Sequence, residues 1–190
     1  MAQEAFRENY TDTISRMLEL DRSNERHAKL NKLLGKPTQF QPRRRADIDC
    51  LYLVAQAASA RQIVPSLSYL YAGNIPVYAS QDVYSGIPKP VDDKDLNGVI
   101  FGESPWLLGQ DDTSVSKTRE LFPLTSAQTL RLQAFGIDAF RLYPRLNLLN
   151  NNPNTAIPGA SGMLRLGTNQ NILRQLTWTA IRDGSAVIDE

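Results

Sequence analysis

One cysteine, Cys50, and one histidine, His27, stand among 190 residues. A lone cysteine excludes an internal disulfide framework and fixes no redox compartment. A lone histidine supports neither a zinc site nor a Ser–His hydrolase. No apolar run approaches the roughly 18 residues of a transmembrane helix; the longest, Cys50 to Ala60, is interrupted by Gln56 and Ser59. Neither charge is in surplus: 21 Lys plus Arg against 20 Asp plus Glu leave +1. A dedicated nucleic-acid binder needs a basic surplus on one face, so none is expected. The first six residues show no basic region, apolar core or cleavage site, so no export signal or lipid anchor is expected in the chain as it stands. Two readings stay open there, a cytoplasmic protein or a piece of a longer exported one.

What is present is ordinary for a soluble globular protein: 42% apolar and 22% charged residues, too apolar for general disorder. The length suits one domain, residues 1–190, burying roughly 70% of its unfolded surface. Residues 11–34 read as helix, with Ile14, Met17 and Leu18 on one apolar face and Leu30, Leu33 and Leu34 on another. A kink or new start is expected at Asp21–Asn24, and a stop at Gly35 and Pro37. Residues 36–47 read as loop. Leu51–Ala55 is short, continuous and apolar, as a buried parallel strand is. Ser59 is placed as the cap of a helix reaching Ala72, ended by Gly73-Asn74, and Ile75–Ala79 is a second strand. This is a right-handed strand–helix–strand unit.

Residues 80–95 read as irregular, Val99–Phe101 as a third strand, and Thr113–Phe122 as a short helix. Thr125–Asn150 is the longest helical candidate, with Leu130, Ala134, Ile137, Phe140 and Leu148 in one stripe and a kink near Pro144. Met163–Leu166 and Ile172–Leu176 alternate around Gly167–Gln170 as a β-hairpin does. The fold class is therefore α/β, a mostly parallel open sheet with a C-terminal β-hairpin as an appendage. Ligands of such sheets bind beyond the carboxyl ends of the strands. The candidate cleft residues there are Gln56, Ser59, Ser80, Gln81 and Glu103.

No motif rises to a catalytic constellation. Ser114-Val115-Ser116-Lys117 has the Ser-x-x-Lys spacing of penicillin-interacting serine enzymes, but the companion Ser-Asp-Asn and Lys-Thr-Gly are missing. Asp93-Lys94-Asp95-Leu96-Asn97-Gly98 matches the first half of a calcium loop. Its twelfth position is Ser104 rather than the bidentate Glu such a loop needs, so an acidic surface turn is expected. Gly159-Ala160-Ser161-Gly162 is neither a dinucleotide fingerprint nor a phosphate loop. No cofactor and no metal are expected. His27 suits the dipole of its helix, and Cys50 is expected to pack as a small hydrophobe. Tyr84, Trp106 and the basic run Arg43, Arg44 and Arg45 are the candidate contacts for a partner.

Several stretches then resemble a known family. They are Arg44-Arg45-Ala46-Asp47-Ile48-Asp49, Ala72-Gly73-Asn74-Ile75-Pro76-Val77-Tyr78-Ala79, Tyr84-Ser85-Gly86, Asp95-Leu96-Asn97-Gly98, Phe101 and Pro105-Trp106-Leu107-Leu108. Phe135-Gly136-Ile137-Asp138-Ala139-Phe140, Pro158-Gly159-Ala160-Ser161-Gly162 and Arg182-Asp183-Gly184 follow. In order and spacing, from about Tyr10 to Val187, they resemble the C-terminal domain of the LppC lipoprotein family. The resemblance implies a type I periplasmic-binding-protein fold, two doubly wound lobes about a cleft. It further implies a lipidated N-terminus, a helical-repeat domain and a place in the periplasm on the inner face of the outer membrane. The implied partner is a class A penicillin-binding protein, whose peptidoglycan synthesis such proteins stimulate without being enzymes. At this length the chain resembles the second lobe, Rossmann-like, plus closing segments. The helix near 125–150 would help to join two lobes, so part of its apolar face is expected to lack a cover.

Two functions follow as expectations. A docking module for the synthase requires Tyr84, Trp106 and the Arg43–Arg45 loop to be exposed. A small-molecule lobe requires polar groups of Gln56, Ser59, Ser80, Gln81 and Glu103 to converge in a cleft. An enzyme has the least support, and no direct membrane insertion by this chain is expected.

Overall fold

The structure, a computed structural model, describes residues 10–109, 116–117, 120–122, 126–152 and 154–189. The first helical stretch is two helices, α1 (Tyr10–Met17) and α2 (Leu20–Leu34). The break falls earlier than Asp21–Asn24, at Glu19, whose φ of 55° is left-handed. Leu18 and Leu20 explain it. Both are buried, yet residues two apart point to different sides of one straight helix. Breaking the helix between them lets both enter the core. The second expected face fails: Leu30, Leu33 and Leu34 are exposed, Leu33 by 84%.

Strand β1 (Leu51–Leu53), helix α3 (Ala57–Tyr69) and β2 (Val77–Ala79) form the strand–helix–strand unit. The helix starts before Ser59, with Gln56 at its N-cap, and turns back through Tyr71 at a φ of 62° rather than at Gly73-Asn74. A 3-10 turn at Gln81–Val83, the short helix α4 (Pro90–Asp93) and another 3-10 turn at Lys94–Leu96 then lead to β3 (Val99–Glu103). The three strands are parallel, in order β1-β2-β3, with Tyr52, Tyr78 and Ile100 in register. A second hairpin, β7 (Thr177–Arg182) and β8 (Ser185–Ile188), extends the sheet beyond β3. Both pairings it adds are antiparallel, so every strand except β7 runs the same way.

Both parallel connections step in the same direction along the sheet. Right-handed crossovers then put both on one face. That face is the core: Ile14, Leu18, Ala60, Ile63 and Leu67 of the helices cover Leu53, Val77, Ala79, Val99, Phe101 and Ile181 of the strands. Among the described residues, the opposite face has no such cover. Tyr52 is 70% and Trp178 55% exposed there, and the Trp178 ring meets Tyr78 edge-on at 6.3 Å.

The long helical candidate is α5 (Ala127–Leu142), a 3-10 turn at Tyr143–Arg145 and α6 (Leu146–Asn151). The 3-10 turn that interrupts the helix holds Pro144, the position of the expected kink. The buried stripe is Leu130, Ala134, Asp138 and Leu142, one residue every four; Phe140 and Leu148 of the expected stripe are exposed. Strands β4 (Ala156–Pro158), β5 (Met163–Leu166) and β6 (Ile172–Gln175) form a separate antiparallel sheet. It contains the expected hairpin, with Leu166 opposite Ile172. Leu142, Leu149, Ile157 and Leu164 join it to α5 and α6. Half of the helix expected at Thr113–Phe122 lies outside the described residues, as does Ser114 of the Ser-x-x-Lys match; Ser116, Lys117, Glu120 and Leu121 are helical.

Candidate functional site

The carboxyl ends of β2 and β3 meet the side of α5. Glu103 closes β3 with its side chain fully buried, and Arg131 of α5 reaches it. Arg131 Nη2 donates to Glu103 Oε2 at 2.6 Å and its Nε to Oε1 at 3.2 Å. Nη2 also donates to the carbonyls of Gln81, at 2.7 Å, and Tyr84, at 3.4 Å. Nη1 stands 3.5 Å from Asp82. The Ser104 amide donates to Glu103 Oε1 at 2.8 Å. Every polar contact a buried carboxylate needs is therefore supplied from within the chain.

Of the five candidate cleft residues, only Gln81 and Glu103 meet at this point, and Gln81 does so through its backbone. Gln56 lies exposed and Ser59 half-buried at the start of α3. Ser80 Oγ is buried with no hydrogen-bond partner among the described residues, as are Trp106 Nε1 and Gln133 Oε1.

Tyr84 and Trp106 are not surface contacts. Trp106 is 2% exposed, packed with Leu107, Leu130, Ala134 and Ala160, and its amide donates to the Ala160 carbonyl at 3.0 Å. Tyr84 is 5% exposed, with its ring centroid 5.9 Å from that of Phe101. Both follow strand ends: Tyr84 joins the core of the main sheet, and Trp106 is covered by α5. Exposure, which the docking expectation required of them, is absent.

The Arg43–Arg45 run divides its work. The Arg43 amide donates to Ser23 Oγ at 3.1 Å, and its side chain lies in solvent. Arg44 donates to the Arg45 carbonyl at 3.0 Å. Arg45 grips Asp47 with two bonds, 2.7 and 2.6 Å. The hydrogen bond from Arg45 holds the Asp47 carboxyl at about 2, below its ordinary 3.8, and the guanidinium is raised in turn.

Three further groups hold the frame. Asp138 is buried in α5 and accepts from the Ala160 amide at 2.6 Å, the Ser161 amide at 2.7 Å and Ser161 Oγ at 2.5 Å. A Cβ on Gly159 would press on that carboxylate, which accounts for the glycine in Pro158-Gly159-Ala160-Ser161-Gly162. Sequence reading missed this anchor; an acid within the buried stripe of α5 was the available signal. Asp93 of the calcium-loop match is buried on Arg61, at 3.0 and 2.7 Å. His27 stacks on Phe40 at 4.0 Å and meets Thr38 and Asn31; the pairing joins α2 to the loop beyond it. Cys50 is exposed, not packed, because β1 begins one residue later. Among the described residues, no group of three or more His, Cys, Asp or Glu side chains could hold a metal, and no helix is long and apolar enough to cross a membrane.

The outer side of α5 is different in kind. Leu132, Phe135, Phe140 and Tyr143 are all more than half exposed. At the bend, Phe140, Arg141, Tyr143, Pro144 and Arg145 line an open recess of about 450 Å³.

Strand order, parallel core and covering helices define an α/β fold of the periplasmic-binding-protein type. The C-domain of LpoA (YraM) from Haemophilus influenzae, a regulator of PBP1A, superimposes with a TM-score of 0.67 at 22% identity, over 88% of this chain and 57% of that one. A structure described as a "putative branched-chain amino acid ABC transporter", from Chromobacterium violaceum, superimposes with a TM-score of 0.52 at 24% identity, over 90% of this chain and 56% of that one. The family described as "LppC putative lipoprotein" matches residues 5–184. The chain belongs to that family. The penicillin-binding protein activator LpoA of Vibrio antiquarius (strain Ex25) is 28% identical over 168 residues, 87% of this chain. That alignment takes in 27% of the relative, so the chain spans about a quarter of the curated relatives it matches.

Proposed function

We propose that this chain is a docking module of a penicillin-binding protein activator. It binds the periplasmic region of a class A penicillin-binding protein, stimulates peptidoglycan synthesis there and catalyses nothing itself. It works in the periplasm, on the inner face of the outer membrane, as the second lobe and closing segments of a two-lobed domain. The observation that carries this reading is the family match over residues 5–184, with curated relatives named as activators. The chemistry of the strand ends agrees with it: Glu103, the one buried carboxylate of the expected cleft, is fully engaged by Arg131 and Ser104. A solute-binding reading would need such groups unengaged, and has less support.

The test is a synthesis assay. The purified chain is added to its own organism's class A synthase with lipid-linked precursor, and glycan polymerisation and cross-linking rates are followed. A rise that saturates with added chain supports the reading. Unchanged rates, with a folded chain in excess, count against it.

A further inference from the structure

We infer that the outer part of α2, with the loop that doubles back along it, is a peripheral membrane contact: its exposed lysines meet anionic phospholipid headgroups and its exposed leucines enter between them. The contact lies on a membrane and does not span it. It goes beyond the synthase docking proposed above and does not depend on it.

Charge supplies the first argument. Residues 26–46 hold seven of the chain's 21 Lys and Arg residues and no Asp or Glu. The other 14 cations face all 20 acids, so the rest of the chain carries −6 beside this +7 block. Two of the seven are occupied. Arg45 pairs with Asp47 and approaches Glu19, and Arg44 donates to the Arg45 carbonyl and to Asn74. The other five are Arg26, Lys29, Lys32, Lys36 and Arg43. All five are exposed, and none has an ion pair among the described residues. The helix dipole accounts for Lys32 in the last turn of α2, but not for the cations on either side of it. A surface that meets all five has to be anionic.

Shape and composition decide which anionic surface. Only Leu20 and Ser23 of α2 are buried, both in its first four residues. None of the eleven that follow, 24–34, is buried. Gly35, at a φ of 64°, reverses the chain there, and the loop returns beside α2. Thr38 meets Asn31, Phe40 stacks on His27, and the Arg43 amide reaches Ser23. Leu30, Leu33 and Leu34 stay uncovered, 48%, 84% and 50% exposed. Arg26 and Leu30, Lys29 and Leu33, and Leu30 and Leu34 are i, i+4 neighbours, so cations flank a leucine ridge. Leucine beside lysine on a helical surface is the composition of an interfacial membrane contact. Protein interfaces have the opposite bias: their hot spots favour Trp, Tyr and Arg, and Leu and Lys are under-represented. Nucleic acid would take the cations, but its phosphates have no use for three exposed leucines.

The test is sedimentation of the whole chain with two kinds of vesicle, one of equal parts phosphatidylglycerol and phosphatidylcholine, the other of phosphatidylcholine alone. The inference expects the anionic vesicles to bind at least about ten-fold more tightly, and raising salt from about 0.1 to about 0.5 M to remove most of that difference. Two variants are compared with the natural chain: Lys29→Glu with Lys32→Glu and Lys36→Glu, and Leu30→Ser with Leu33→Ser. All five side chains are exposed, so circular dichroism and a melting midpoint within about 2 °C should confirm the fold. Each lysine near an anionic surface is worth about five-fold in binding, so the charge-reversed variant should lose about a hundred-fold. The leucine variant should lose about ten-fold. A second reading needs no loss of function. An environment-sensitive fluorophore on Leu33→Cys, in a Cys50→Ser background, should shift to the blue with anionic vesicles only. A natural chain that sediments equally with both kinds of vesicle overturns the inference, as do variants that bind within about two-fold of it. No vesicle binding, together with weakened affinity of the charge-reversed variant for the immobilised class A synthase, would assign the helix to a protein partner and also overturn it. Synthase binding by a natural chain that ignores vesicles leaves the docking role standing while this inference falls.

Discussion

Arg131 ties α5 to the end of β3 and to the turn after β2. It neutralises the fully buried Glu103 and donates to the carbonyls of Gln81 and Tyr84, at the start and just past the end of the 3-10 turn after β2. Removing one partner of a buried ion pair strands the other in low dielectric, a loss of about 3–5 kcal/mol, whereas apolar replacement of both is far milder. Arg131→Met is therefore expected to lower unfolding free energy by about that amount in urea. Adding Glu103→Leu to it should restore part of the loss, the Gln81 and Tyr84 carbonyls accounting for the remainder. A double variant no more stable than the single one would mean that the carboxylate is not the penalty. Asp47 offers a pH test. Its folded pKa, about 2, lies below the ordinary 3.8, so its contribution is fully present above about 3.8 and disappears as pH falls through about 2. A carboxyl NMR titration of Asp47 should show that midpoint, and Arg45→Gln should return it toward the ordinary value.

At the scale of elements, α5 is set by its ends. Ser126 caps it, accepting from the Thr129 amide at 3.2 Å. Ser126→Ala should cost about 1 kcal/mol in chemical unfolding; no change would mean that the first turn is held by packing alone. Much of the element order is legible in the sequence, because apolar runs, glycine and proline mark strands and stops locally. The parallel β1-β2-β3 core and the β5–β6 hairpin follow from that alone. The β7–β8 hairpin did carry a signal: Asp183-Gly184, both at positive φ, is a favoured two-residue turn pair. The errors share one cause. Periodicity shows which apolar residues share a side, not whether another element covers it. Leu30, Leu33 and Leu34 therefore read as an apolar helix face and lie exposed, while Tyr84 and Trp106, weighed as partner contacts against burial, lie buried, Tyr84 in the main core and Trp106 against α5. The same limit hid the site. Glu103 and Arg131 are 28 positions apart, and nothing local pairs them.

For the molecule as a whole, the decisive feature is that all parallel crossovers lie on one face of the sheet. The fold keeps a covered side and an open one; Trp178 lies on the open side, and Trp106 in a separate cluster against α5. Trp106 is buried and Trp178 is 55% exposed. Acrylamide is expected to quench one emitting population and spare the other, and Trp178→Phe should remove the quenchable one. Equal protection of both would mean that the open sheet face is covered in solution. The central claim is docking, and calorimetric titration of this chain into the periplasmic region of its class A penicillin-binding protein, at moderate salt, tests it most directly. The account predicts saturable binding at micromolar concentration or tighter. A folded chain that gives no heat of binding, with no competition against the full-length activator, would contradict it.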